Sequence, residues 1–348
     1  MPYPPIATPD LDLILRYTEP LWTEIRHQRL FLTGGTGFFG TWLLSSFLHI
    51  DRALSLHAHA TVLTRDPKAF AARAPHLANH PAITLLQGDT ATFEPPPGTF
   101  DVVLHAATDV AAPSAAEAVS PSARYAAIAD GTARLLDFAA THATRKFLLT
   151  SSGAVYGKQP STLTHVPEHY VAAPEPLTAA SAYAEGKRAS ERLCSVYARQ
   201  SATEYKIARC FAFAGPALPL DSNFAIGNFI RDVLAGNPIE IAGDGTPLRS
   251  YLYAADLAIW LWTILFQAPS LQSFNVGSEQ AISIADLAAL TAATLNPQLS
   301  VHIAQQPMPG ASPARYVPST QRAQQQLGLR QTISLEESIR RTAAWHHV

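Results

Sequence analysis

Cysteine is almost missing from this chain. Cys194 and Cys210 are the only two in 348 residues, too few for a disulfide framework or a thiolate metal cage, and each reads as a small buried hydrophobe. Charge is also scarce. Asp, Glu, Lys and Arg make up 15% of the sequence, against about 25% in an average globular protein, which excludes a disordered or heavily solvated chain. Neither sign dominates: 25 basic against 27 acidic residues leave a formal charge of −2, with no basic excess to displace counterions from a nucleic-acid backbone, so no nucleic-acid partner is expected. Long apolar runs are missing as well. The longest, 254–266, contains Asp256 and falls short of the roughly 20 residues that cross a bilayer. The first 28 residues mix apolar with charged positions and show neither a basic n-region nor an apolar h-region. No membrane contact and no signal peptide follow, and a cytoplasmic location is expected. Lysine is the rarest charged residue, with Lys68, Lys146, Lys158, Lys187 and Lys206 alone, so any motif that requires a lysine carries extra information here.

What is present is apolar material, 47% of the residues, enough for one large domain or two interleaved ones with a sizeable core. After an N-terminal segment read as one amphipathic helix capped near Asp10, buried-strand patterns fall at 29–33, 60–64, 83–87, 101–106, 146–152 and 205–215. Helical patterns fall between them at 38–50, at 115–141 with an interruption near Pro121, and at 182–200. Strands alternating with helices predict an α/β fold with a doubly wound parallel sheet covered on both faces. Beyond Gly215 the alternation weakens, with prolines and a GDG turn at 243–245. The expected division is therefore a helical extension over 1–28, a main domain over 29–215 completed by part of 250–277, and a smaller α/β region over 216–348. No repeat or low-complexity linker separates the parts. The smaller region should include helices at 284–295 and 335–345.

Three constellations carry chemistry. Gly34, Gly37 and Gly40, in GGTGFFG, stand directly after the first strand and open a helix. Glycine allows a tight turn and close backbone approach to a pyrophosphate, and the helix that follows offers free N–H groups to negative charge. Chance supplies this spacing about 0.05 times in such a sequence. Tyr183 and Lys187, in YAEGK, are four apart and share one helix face. There an ammonium and an oxidised nicotinamide would both favour a tyrosinate able to take a substrate hydroxyl proton. Ser151 and Ser152 end the fifth strand, on the side of a parallel sheet where ligands bind, so Ser152 could share that hydroxyl with Tyr183. A strand-end serine pair can equally cap a turn.

With these motifs in order, the sequence closely resembles the extended short-chain dehydrogenase/reductase family, in its nucleotide-sugar epimerase/dehydratase branch, from about residue 29 to 345. The carrying motifs are TGGTGFFG at 33–40, GD at 88–89, LHAAT at 104–108, GT at 131–132, SSGAVYG at 151–157, YAEGK at 183–187, ARCFAFAGP at 208–216, GDGTPLRSYLYAADLA at 243–258 and RYVPS at 315–319. The resemblance implies a Rossmann domain over 29–215 that binds NAD or NADP, and a substrate-binding region mainly over 216–348. It implies Ser152, Tyr183 and Lys187 as the catalytic triad. Cofactor contacts would come from Gly34, Thr36, Gly37, Phe38, Phe39 and Gly40, from Thr64, Arg65, Asp89, Thr90, Ala106 and Ala107, and again from Tyr183 and Lys187. Ser152, Asn228, Arg249 and Arg315 would hold a nucleotide-diphosphate sugar, the two arginines on its diphosphate. The helices at 115–141 and 182–200 would form a homodimer interface.

Departures from the family pattern narrow the reaction. Thr64 stands where many NAD-using members end the second strand with an Asp. Arg65 follows, which could accommodate a 2′-phosphate, and Asp66 could still reach the ribose, so NAD and NADP both stay open. Sugar 4,6-dehydratases carry Asp then Glu after the strand-end hydroxyl, and decarboxylases carry a Glu at the second position; here Gly153 and Ala154 offer nothing that titrates. Ala212 and Ser319 replace a family Asn and Asp. The expected activity is a nucleotide-sugar 4-epimerase acting through a 4-keto sugar. The alternatives are a 4,6-dehydratase or 4-ketoreductase that uses Asp109 or Glu168 as a substitute acid, and a dinucleotide-binding sensor or scaffold without turnover. The 13 histidines are scattered without metal-site spacing and read as surface residues.

Overall fold

The computed structural model describes residues 2–107 and 119–347. It begins with helix α1 (Thr8–Thr18) and a 3-10 turn (Glu19–Ile25), followed by β1 (Arg29–Thr33), α2 (Phe38–Leu54), β2 (His59–Thr64), α3 (Pro67–Arg73), the single turn α4 (Pro75–Ala78), β3 (Ile83–Gln87) and β4 (Val102–His105). Then come α5 (Pro121–Thr141), β5 (Lys146–Ser152), α6 (Ala182–Tyr197) and β6 (Glu204–Cys210). Shorter elements follow: β7 (Phe213–Ala214), α7 (Ala225–Leu234), β8 (Ile239–Ile241), β9 (Leu248–Arg249) and β10 (Leu252–Tyr253). The last group is α8 (Ala254–Gln267), β11 (Ser273–Val276), β12 (Ile282–Ser283), α9 (Ile284–Leu295), β13 (Val301–Ile303), β14 (Arg315–Tyr316), α10 (Gln321–Leu327) and α11 (Leu335–His346).

Alternation along β1 divides the interior. Leu30 and Leu32 face one apolar cluster with α2 and α8, while Phe31 faces another with Leu135, Phe138 and Cys194 from α5 and α6. A strand buried on both faces is covered by helices on both faces. The central sheet among the described residues has seven strands in the order β11-β6-β5-β4-β1-β2-β3, all parallel. This is the Rossmann-type doubly wound α/β fold. The chain winds outward from β1 to β3 and then crosses to β4 on the other side of β1, so a crevice opens at the carboxyl ends of β1 and β4.

Helix α8 is covered on every side, with residues 254–266 all buried and apolar apart from Asp256 and Thr263. The N-terminal segment supplies part of that cover. Ile14 and Trp22 are fully buried, and the Trp22 ring lies 4.6 Å from that of Trp262. Asp10 does not cap α1, whose N-cap is Ala7. Its carboxylate is buried and accepts hydrogen bonds from the Tyr253 hydroxyl at 2.6 Å and from Arg341 at 2.5 Å.

Two other expectations are corrected. The described part of the helix expected over 115–141 starts at Pro121, in the first-turn position that tolerates proline, with Ser120 accepting from the Ala123 amide at 3.1 Å. Residues 115–118 lie outside the described residues. The strand expected over 205–215 is two strands. β6 stops at Cys210 because the Ala212 carbonyl accepts the Leu252 amide, and β7 pairs with β10 in a separate sheet. Both cysteines are buried, as expected. Among the described residues no helix is long and apolar enough to cross a membrane.

Candidate active site

The turn after β1 tolerates no side chain at Gly34, nor the helix that follows it at Gly40. Gly34 has φ +73°, in the left-handed region, and a Cβ there would stand 2.5 Å from the backbone of Ala106 and Ala107 after β4. Gly40, one turn into α2, packs against the backbone of Gly34 and Gly35. Gly37 differs. It is the N-cap of α2 with ordinary φ, and a Cβ on it would meet only the Gly34 carbonyl at 3.5 Å. No side chain caps α2, so first-turn N–H groups at Phe38 and Phe39 remain for an anion.

This turn forms one end of a cavity of about 1020 Å³ at the carboxyl ends of the central strands. Its wall includes Gly34, Thr36, Gly37, Phe38, Phe39, Thr64, Arg65, Asp89, Thr90, Ala106 and Ala107, and further along Ser152, Tyr183, Lys187 and Arg249. Three of the expected site residues stand elsewhere. Gly40 lies beneath the turn and acts in packing. Asn228 lies on the second turn of α7 and accepts a hydrogen bond from Arg231 at 3.3 Å; the cavity touches Asn223 and Phe224, just ahead of that helix. Arg315 is outside the wall, and its neighbour Tyr316 is in it. Alternation along β14 explains that exchange.

The hydroxyl groups gather at the end of β5. Ser152 accepts the Ala154 amide at 3.1 Å, so it does cap the turn at 153–156, and its side chain also hydrogen-bonds Tyr183. The Tyr316 hydroxyl stands 3.5 Å from Ser152 Oγ. Burial raises the Tyr183 pKa, while the Ser152 hydrogen bond lowers it to a smaller degree. Desolvation dominates, so the phenol is held protonated and not ionised. Lys187 is itself buried, which lowers its pKa to about 8, and it donates to the Thr150 carbonyl at 2.8 Å. Ser151 points to a different network, donating to Glu191 at 2.6 Å, and Glu191 holds Arg209.

Other candidates move aside. Glu168 is buried outside the cavity wall, where it accepts the Asn275 amide at 2.9 Å, so it is not available as a substitute acid. Asp109 lies outside the described residues. His105 contradicts the surface reading of the histidines. It is buried between Thr33 and Thr132 at 2.8 and 3.1 Å, and desolvation followed by the Lys187 charge lowers its pKa to about 3, leaving it neutral.

The wall residues that the sequence reading missed include Tyr316, Arg73 and Arg124. Arg73 donates to the Thr36 carbonyl in the glycine turn at 2.6 Å. Their Nε atoms, in Arg73 and Arg124, are buried and have no hydrogen-bond partner among the described residues. Nothing in the local sequence marked either arginine.

The model of the NAD dependent epimerase/dehydratase family matches residues 30–277. Among curated proteins the chain is similar to UDP-glucuronic acid decarboxylase 1 of Arabidopsis thaliana, 28% identical over 323 residues, covering 92% of this chain and 70% of the relative. It is also similar to UDP-glucuronic acid decarboxylase 1 of Xenopus tropicalis, 26% identical over 321 residues, covering 92% and 72%. Among solved structures, the UDP-glucose 4-epimerase of Thermotoga maritima with UDP-glucose has a TM-score of 0.73 at 19% identity, covering 92% of this chain and 98% of that one. The dTDP-glucose 4,6-dehydratase of Streptomyces venezuelae with NAD bound has a TM-score of 0.76 at 20% identity, covering 92% and 97%. At these identities the solved structures share the fold.

Proposed function

The chain belongs to the NAD-dependent epimerase/dehydratase family, and from that premise we propose that it is a nucleotide-sugar 4-epimerase working by transient oxidation at C4. The observation that carries the proposal is the grouping of Ser152, Tyr183 and Lys187 on a cavity wall that offers no carboxylate beside them among the described residues. Gly153 and Ala154 follow Ser152, and Glu168 is turned into the protein interior. Loss of water needs an acid and a base that titrate, whereas inversion needs one group that takes and returns a proton.

The cavity suits a nicotinamide dinucleotide. The glycine turn would take its pyrophosphate, with Thr64, Arg65, Asp89 and Thr90 along the adenosine and Ala106 and Ala107 under the middle. When bound, the nicotinamide supplies hydride acceptance and donation at C4, and in its oxidised state a positive charge that favours ionised Tyr183. Tyr183 takes the proton of the 4-hydroxyl. Ser152 holds the same oxygen, and Lys187, fixed on the Thr150 carbonyl, adds its charge behind the phenol. After the keto sugar has turned over, Tyr183 returns the proton, so the sugar ends isomerised with no net oxidation. Arg249 would pair with the substrate diphosphate. The relatives named as UDP-glucuronic acid decarboxylases support a nucleotide-sugar substrate. A 4-ketoreductase is the second reading, favoured by the arginine that follows Thr64. We also propose a homodimer through α5 and α6; light scattering should give twice the chain mass, and a monomer would overturn it.

NMR of a panel of nucleotide-sugars incubated without added reductant tests the activity. C4 inversion of one sugar is expected, falling about 10²- to 10⁴-fold in Tyr183→Phe with dinucleotide binding kept. Turnover only of 4-keto sugars with added NADPH would replace the epimerase by the reductase. Dinucleotide binding with no turnover of either kind would leave a sensor.

A further inference from the structure

We propose that residues 2–6 form a strap that gates exchange of the dinucleotide, tying two walls of the cavity together from outside it. The inference rests on the reading of the cavity as a dinucleotide site. The family model matches from residue 30, so the strap lies outside the matched residues. Its sequence is Pro2, Tyr3, Pro4, Pro5, Ile6. Proline fixes φ near about −65° and carries no N–H, so such a segment stays extended and has little conformational freedom left to lose. Ile6 anchors it in the core shared by α2 and α8.

One link runs to the dinucleotide half. The Tyr3 amide donates to the Arg73 carbonyl at 2.6 Å, at the end of α3, and the Tyr3 ring lies 5.4 Å from the Arg73 guanidinium. Helix α3 is itself a wall of the cavity, through Ala69, Phe70 and Arg73. The other link runs to α11. The Trp345 indole N–H donates to the Pro4 carbonyl at 3.0 Å, and its ring stands edge-on to Tyr3 at 5.0 Å. The neighbouring His346 donates to the Leu218 carbonyl at 2.9 Å, and Leu218 lines the cavity from the C-terminal region. Residues 2–6 are not among the described wall residues, so a ligand keeps its contacts when the strap is cut. A dinucleotide that enters or leaves by parting α3 from the C-terminal region must first break one of the two links. Neither link involves the ligand, so both slow entry and exit alike, in the manner of a lid. A hydride acceptor kept between turnovers suits a reaction that returns the hydride to the sugar it came from, whereas a reductase must exchange it at every turnover.

The test is the rate of exchange, read by stopped flow on the full chain loaded with NADH or NADPH, whichever binds more tightly in a titration. Chasing the reduced dinucleotide with an excess of its oxidised form reports release as a loss of fluorescence. Trp345→Phe keeps a ring and removes the donor to Pro4. One hydrogen bond of ordinary net strength corresponds to about 2- to 12-fold in rate, and release should quicken by that much. Deleting residues 2–5 removes both links and should quicken release at least about 10-fold, with association faster to match and affinity within about threefold. Tyr17→Ser, at an exposed position on α1, should change neither rate. Release and association unchanged in both strap variants, whatever their unfolding midpoints, would overturn the gate and leave the dinucleotide reading intact. Weaker affinity with association unchanged would overturn it too, because the segment would then brace the glycine turn and gate nothing. Failure of NADH and NADPH alike to bind the wild type would overturn both the gate and the dinucleotide site.

Discussion

At the scale of single residues, the glycines of the first turn separate folding from binding. Gly34 and Gly40 are glycines because backbone lies where a Cβ would go, whereas Gly37 has room within the protein and faces the cavity. Gly37→Val should therefore leave the circular dichroism spectrum and unfolding midpoint near wild type and abolish dinucleotide binding in a titration. Unchanged affinity would refute the placement of the pyrophosphate. Gly40→Ala should instead destabilise, by about 1 to 3 kcal/mol. Lys187 gives a pH signature. Its folded pKa of about 8 lies below its ordinary value of 10.5, so between about pH 8 and pH 10 the unfolded chain binds more protons at this residue and its contribution makes stability rise with pH. Lys187→Met lacks that contribution. The denaturant midpoint of wild type should gain on the variant from pH 8 to pH 10, and a constant gap would show that the ammonium is not buried.

Elements were legible where one periodicity persisted and lost where the chain changed partners without a marker. The bounds of β1 and β5 match the apolar runs because buried parallel strands are written as such runs. The break between β6 and β7 has no glycine or proline in it. It arises from pairing with β10, far along the sequence, which no local pattern carries. Arg315 and Tyr316 make the same point within the site. A two-residue strand fixes which side chain faces the cavity only through its register with β9, so a one-residue uncertainty exchanged an arginine for a tyrosine. Arg73 and Arg124 were invisible because their role depends on what they face. At this scale the N-terminal helix also yields a prediction. Asp10 is the buried link between α1, the Tyr253 hydroxyl and α11, and Asp10→Ala leaves that hydroxyl without its acceptor and Arg341 with Glu337 alone. Breaking such a pair should cost about 2 to 4 kcal/mol in a denaturant titration; a change below about 0.5 kcal/mol would show that the link is dispensable.

The whole molecule carries almost no net charge, yet its cavity does. Among the described wall residues Arg65, Arg73, Arg124, Lys187 and Arg249 face only Asp66 and Asp89, while the chain as a whole is at −2. A cleft of one sign with low-dielectric walls concentrates field on its ligand. Affinity for the nicotinamide dinucleotide should accordingly weaken when salt is raised from about 10 mM to about 150 mM, which shortens the Debye length from about 30 Å to about 8 Å. Insensitivity to salt across that range would mean the wall charge is neutralised by groups other than those named.

The bond between Asp10 and Arg341 spans 331 positions. At roughly 5 to 20 residues per second, the ribosome delivers the arginine about 15 to 70 s after the aspartate. Throughout that interval the carboxylate cannot enter the core with its charge matched, so α1 must wait in water while α2 and the first strands are made. The N-terminal helix should thereby seat only after α11 has been made, with α8 open on that side until then.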